Sequence, residues 1–266
     1  MPTADQLAYT VHEGQGPAAL LVHGYLTGGV YWRPNLPALS TVCRPVVVDL
    51  WGHDRSPSPT DRDAYEPAGL VAAFERLRTE LGEERWYVIG HSLGAALAVQ
   101  YTLAHPEAVA GLVVTNSNSA FADPDTQAKR AAGARKQADR VEAEGMAAFD
   151  GHPLNPSVSK RLPDDVRADL VAAYTRHDPA GLARMLRWTT PNAGAIERLG
   201  ELRVPTLLTW GVFEKRFRSG AELAMERIEG LRVAELQGGH PVNVQDPDGF
   251  DAAVVDFLSD LGAGGR

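Results

Sequence analysis

Gly90-His91-Ser92-Leu93-Gly94 follows the short apolar run Trp86–Ile89 and leads without a break into the helix-forming stretch Ala95–Ala104. A strand ends, the chain turns sharply, and a helix begins with a serine at the bend. A serine hydroxyl is a poor nucleophile at neutral pH, so it must be exposed beside a base and above helix-terminal amides. Glycines two before and two after Ser92 suit such a bend, where a Cβ would crowd the backbone. A five-residue GxSxG arises by chance in a chain with 26 glycines, so the flanking strand and helix carry the argument.

Five further apolar runs fit the same plan. Ala18–Val22 ends in His23-Gly24, and Pro45–Leu50 runs into Trp51-Gly52-His53-Asp54-Arg55-Ser56. Gly111–Thr115 comes after the serine helix stops at His105-Pro106; Val204–Trp210 and Arg232–Leu236 follow, the last leading to Gly238-Gly239-His240. Runs of β-branched residues and leucine without alternation predict parallel strands buried on both faces, with helices such as Leu70–Leu81 as crossovers. Between Asn116 and about Leu202 the strand rhythm stops. Asp125–Gly145, Pro163–His177 and Pro179–Trp188 read as helices there, with Pro and Asp at their starts.

Val22-His23-Gly24, Asp49–Ser56, Gly90–Gly94, and Gly238-Gly239-His240 followed seven residues later by Pro247 together resemble the α/β-hydrolase-fold superfamily, from near Leu7 to about Leu261. The resemblance implies an α/β fold with a mostly parallel central sheet flanked by helices. The core would be residues 1–116 and 203–266, with 117–202 as an inserted helical cap over the serine.

It also implies a catalytic triad. Ser92 would be the nucleophile and His240 the general base, chosen from eight histidines because Gln245-Asp246-Pro247 and Phe250 after it resemble the family's entry into its last helix. His91 and His53 read as structural or supporting. The family's acid usually sits three residues after the glycine ending the strand before the last. That glycine is Gly211, so the acid is Glu214, where most relatives carry aspartate. Alternatively, Glu214 is a loop charge paired with Lys215 or Arg216. Some relatives place the acid after the preceding core strand, but that position is the neutral Asn116, leaving Asp123 as the fallback. The oxyanion hole would use the backbone N–H groups of Tyr25 and Leu93. His23 would orient that loop. Trp32, Trp51, Tyr25 and Trp188 are each either core or substrate wall.

The cap and late loops most resemble small capped members near 3-oxoadipate enol-lactonase and the menaquinone-pathway 2-succinyl-6-hydroxy-2,4-cyclohexadiene-1-carboxylate synthase. Glu214–Arg218 is similar to that synthase's acid loop, and Lys129–Gly145 to its arginine-rich first cap helix. The synthase holds a substrate carboxylate with an arginine four residues after its serine; this chain has Ala96. Three function classes stay open. The leading one is a serine hydrolase of a carboxylic ester, thioester or lactone, working through an acyl-enzyme. The second is a lyase or C–C-cleaving enzyme using the same triad for proton abstraction, and the third is a ligand-binding protein on this fold. Cap arginines Arg130, Arg135 and Arg184 read as a solvated face, the alternative being that they bind an anionic substrate.

Composition narrows the partners. A net charge of −8 with no basic run argues against nucleic acid, and no stretch approaches the roughly 20 apolar residues of a membrane span. No metal-ligand spacing or phosphate-binding glycine loop occurs, so no cofactor is implied. Cys43, the only cysteine, reads as structural, and Gly262–Gly265 as a short tail. The N-terminus lacks the basic start and apolar core of a signal peptide, which points to the cytoplasm. A small-molecule substrate is expected; the oligomeric state is not readable.

Overall fold

The computed structural model describes residues 6–159 and 162–264. The first residues of the leader reading (1–5) and Gly265 of the tail lie outside them. The strands are β1 (Tyr9–Val11), β2 (Ala18–Val22), β3 (Arg44–Val48), β4 (Trp86–His91), β5 (Val109–Thr115), β6 (Thr206–Gly211) and β7 (Arg232–Leu236). They form one sheet in the order β1-β3-β2-β4-β5-β6-β7, parallel except for β1, which pairs antiparallel with β3. The helices are α1 (Leu36–Leu39), α2 (Pro67–Glu80), α3 (Leu93–Ala104), α4 (Asn118–Phe121), α5 (Pro124–Glu144), α6 (Asp164–Tyr174), α7 (Pro179–Arg184), α8 (Arg218–Arg227), α9 (Val242–Gln245) and α10 (Pro247–Gly264). The expected architecture, a mostly parallel sheet with helices on both faces, is present.

Alternate residues of each central strand feed opposite layers, as the twofold period of a strand requires. Leu20, Val22, Val88 and Val114 pack with α2, α3 and α8, whereas Leu21, Ile89 and Val113 pack with Trp32 and with Phe250, Val254 and Phe257 of α10. A third, smaller cluster joins Ala134, Ala138 and Val141 of α5 to Leu182 and Ala183 of α7, with Leu26 from the loop after β2 beneath them. This cluster packs the helical segment between β5 and β6 onto the loop after β2.

Two strands differ from the sequence expectation. β7 is not buried on both faces: Arg232, Val233 and Glu235 are exposed, because it is the sheet's edge. Arg232 instead bonds Asp256 and Asp260 of α10 at 2.6 and 2.7 Å, which shields that edge with charge. β1 gives no apolar run to read; its three residues are held by the β3 ladder. The helix expected over Pro179–Trp188 is α-helical only to Arg184 and continues as a π-turn over Met185–Thr189. Thr189 ties that turn to the Tyr65 carbonyl at 2.5 Å. Among the described residues no helix is long and apolar enough to cross a membrane.

The start of α3 lies directly against the exit of β2. A Cβ on Gly94 would run into the carbonyl oxygens of Val22 and His23, so only glycine lets helix and strand approach this closely. Gly94→Ala should therefore cost about 1–3 kcal/mol and lower the thermal midpoint by several degrees. An unchanged midpoint in a melting experiment would contradict this packing.

Candidate active site

Ser92 sits at the bend between β4 and α3 with φ 55° and ψ −115°, a left-handed conformation that a side chain rarely adopts. Such a backbone costs on the order of 1–3 kcal/mol and persists only where its surroundings fix it. Here they do so from both sides of the peptide. Ser92 N–H donates to the Thr115 carbonyl at 2.9 Å, and its own carbonyl accepts from Ser117 Oγ at 2.6 Å and Ala96 N at 3.3 Å. The turn projects the hydroxyl out of the sheet toward His240, whose Nε2 lies 3.0 Å from Ser92 Oγ.

His240 belongs to the loop after β7, and that loop is fastened along its length. Gln237 N–H donates to Asp246 Oδ2 at 2.8 Å, and Gly239 N–H to Gln245 Oε1 at 2.7 Å. The His240 carbonyl accepts from His91 Nε2 at 2.9 Å and from Asn116 Nδ2 at 2.8 Å. Asn116 Nδ2 also reaches the Gly239 carbonyl at 2.9 Å, while its Oδ1 accepts from Gly211 N–H at 3.1 Å. One fully buried amide thus clips together the ends of β5, β6 and β7. Asn116 is not an acid, so its residue type alone gives no catalytic signal. Its position, one residue past a core strand, was the signal that it could serve as a clip.

Glu214 lies in the loop after β6, with Oε2 3.8 Å from His240 Nδ1, within ion-pair reach but beyond a direct hydrogen bond. Asp123 caps α5 instead, accepting from Thr126 N–H at 2.9 Å, and stands exposed. Burial in the cleft, reinforced by the Arg130 guanidinium, pushes His240 down to about 4. The imidazole is therefore neutral at physiological pH, as a proton acceptor must be.

The loop after β2 closes the site from the other side. An ideal Cβ on Gly24 would stand 3.1 Å from Ser92 Cβ, so the backbone leading into Tyr25 lies against the serine. Leu93 opens α3, and its N–H is among the first-turn amides that lack an intrahelical acceptor. His23 holds the loop in place. Its Nε2 accepts from Leu50 N–H at 2.9 Å, which puts the proton on Nδ1, 2.7 Å from the Gly24 carbonyl. Tyr25 turns its hydroxyl to the Leu182 carbonyl of α7 at 3.2 Å, and its ring lies against His53.

The tryptophans separate by position. Trp32 is fully buried against Phe250, and Trp51 is buried with Nε1 on the Ala64 carbonyl at 3.1 Å. Both are packed into the two layers of the core. Trp188 lies on the π-turn of the segment between β5 and β6, with the Arg62 guanidinium 4.2 Å from its ring centre.

His177 has no recognisable sequence context, yet it completes a column with His53 and His23 at centroid spacings of 5.0 and 5.1 Å. His53 Nε2 accepts from Leu26 N–H at 3.1 Å, and His177 Nδ1 from Asp54 N–H at 3.0 Å. Burial lowers all three: His23 and His177 to about 4, His53 well below its usual value. An unfolded histidine takes its proton near pH 6.5. Between that pH and about 4 the unfolded chain binds protons that the folded chain refuses. Stability should then fall with pH across that window, by about 1.4 kcal/mol per pH unit for each neutral histidine. Urea unfolding at pH 7, 6 and 5 checks this; a flat profile would mean that these rings are not held neutral.

A family model described as the alpha/beta hydrolase fold matches residues 17–247. The chain is 25% identical to the "Putative 2-succinyl-6-hydroxy-2,4-cyclohexadiene-1-carboxylate synthase" of Bacillus subtilis (strain 168), covering 97% of both chains. It is 30% identical to the "Putative carbamate hydrolase RutD" of Rhizobium rhizogenes, covering 94% of this chain and 97% of that one. Among solved structures, MenH from S. aureus superimposes with a TM-score of 0.85 at 18% identity, over 96% of this chain and 98% of that one, a likeness of fold alone.

Proposed function

We propose, from the premise that the chain belongs to the α/β-hydrolase fold family, that it is a serine hydrolase cleaving a carboxylic ester, thioester or lactone. The observation that carries this reading is the 3.0 Å contact between Ser92 Oγ, on its strained turn, and the neutral His240 Nε2. In the proposed sequence His240 takes the Ser92 proton as Oγ attacks the carbonyl carbon. The developing oxyanion is received by the N–H groups of Tyr25 and Leu93, and His240 returns the proton to the departing oxygen or sulfur. Water, activated by the same imidazole, then releases the acid from Ser92. Glu214 orients Nδ1–H and stabilises the imidazolium formed at each step; its 3.8 Å separation would shorten once that charge appears. Residues 117–202 act as the cap over the cleft, and the substrate is a small molecule.

A second reading keeps the pair but leaves Ser92 unacylated, with His240 drawing a proton from carbon through the serine before C–C or C–O cleavage. The similarity to the B. subtilis synthase favours it. Ala96, buried on α3 four residues after Ser92, offers no cation for a substrate carboxylate there.

The deciding experiment is the intact mass of the protein after exposure to a small fluorophosphonate. An adduct on the wild type, absent from Ser92→Ala and His240→Ala, is expected. A folded wild type that takes no adduct would put the lyase reading ahead. Glu214→Gln should slow labelling by about 10²- to 10⁴-fold, whereas Asp123→Asn should leave it unchanged. The opposite pattern would show that Glu214 is not the acid.

A further inference from the structure

Ser92 requires a glycine beside it at position 24, and that glycine creates a problem of aim. An ideal Cβ on Gly24 would stand 3.0 Å from His91 Nδ1 and 3.1 Å from Ser92 Cβ, so a side chain there would crowd the serine. Glycine relieves the crowding but frees the backbone, and the Gly24–Tyr25 peptide gains room to rotate. That freedom matters because a trans peptide carries its C=O and N–H in opposite directions. Turning the unit over would exchange the directions of the Gly24 carbonyl and the Tyr25 N–H.

The structure pins this peptide by its oxygen. The Gly24 carbonyl accepts from His23 Nδ1–H at 2.7 Å, from the Thr27 hydroxyl at 2.7 Å and, more loosely, from Thr27 N–H at 3.4 Å. Thr27 Oγ1 also lies 3.2 Å from His23 Nδ1, so imidazole and hydroxyl support one another. The next peptide is pinned by its nitrogen. Leu26 N–H donates to His53 Nε2 at 3.1 Å, and Leu26 holds φ 61°, a left-handed backbone that leucine rarely adopts. Both peptides of Tyr25 are thus fixed, while its own N–H donates to no acceptor among the described residues. An open donor on a peptide whose carbonyl is held from behind is what a developing oxyanion needs.

We propose that Thr27 is a positioning residue for the oxyanion: with His23 it holds the Gly24 carbonyl back, so that the Tyr25 N–H is presented to the oxygen of a carbonyl attacked by Ser92. The proposal rests on the reading of Ser92 and His240 as an acyl-transfer pair. It adds to that pair a residue outside every motif that marks the site in the sequence, acting through the backbone and not on the substrate. Threonine suits the task, since its branched Cβ restricts the rotamer that carries the hydroxyl.

The test follows the rate of Ser92 labelling against the concentration of a small fluorophosphonate, on wild type, Thr27→Val and Thr27→Ser. The phosphoryl oxygen takes the place of the carbonyl oxygen, so the limiting rate reads the oxyanion donors and the half-saturating concentration reads binding. Thr27→Val deletes the hydroxyl and leaves His23 in place. It should lower the limiting rate by about 10- to 100-fold, at or below the loss that follows removal of a donor outright, with half-saturation unchanged. Thr27→Ser should restore most of that rate. If Thr27→Val does not fold, Thr27→Ala replaces it with the same expectation. Equal limiting rates in wild type and Thr27→Val would overturn this inference and leave the hydrolase reading standing. So would a change confined to half-saturation, or a Thr27→Ser no faster than Thr27→Val. A folded wild type that takes no label would overturn both, since no oxyanion then forms at Ser92.

Discussion

Everything around the cleft depends on one backbone conformation that the chain would not adopt unaided. The left-handed peptide at Ser92 is held by Thr115 and Ser117 from β5 and its exit loop, and is seated by the close passage of α3 over the end of β2. Those contacts belong to the sheet and the α3 crossover between β4 and β5, which are buried in one apolar layer. Strain at one residue is small beside the free energy of that layer, so the fold can keep a conformation that a free peptide would relax.

The same economy governs charge. His23, His53, His91 and His177 are buried, and burial keeps each imidazole neutral. As neutral rings, His23 and His53 each bridge two backbone groups as acceptor and donor, a role that lysine or arginine could not fill at this depth. Asp49, the fully buried carboxylate beside this column, is matched by Arg55 at 2.8 Å.

How much could be read beforehand follows from how local each constraint is. Ser92 and its flanking glycines were legible because a sharp strand-to-helix turn restricts residue type within five positions. His240 was legible from its spacing to Pro247 at the head of α10. β1 was not, because three residues on an edge carry no pattern without the β3 ladder. β7 was seen as a strand but taken for a buried one, since sequence does not say which strand lies at the rim. The aromatic residues are separated only by packing: Trp32 and Trp51 are core, while Trp188 is half-buried on the π-turn, packed against one core layer. Asn116, Ser117 and His177 are significant through partners 25 to 124 residues away, and no local spacing encodes them.

The amide at position 116 has a consequence for how this site can evolve. Its nitrogen faces two carbonyl oxygens while its oxygen receives a backbone N–H. An aspartate there would satisfy the second contact and set a negative oxygen against both carbonyls. A second acid at the end of β5 therefore cannot arise by one amide-to-carboxylate change without loosening the loop that carries His240. On the proposed reading the acid comes from the loop after β6, and a lineage that moved it to the end of β5 would first have to rebuild the clip.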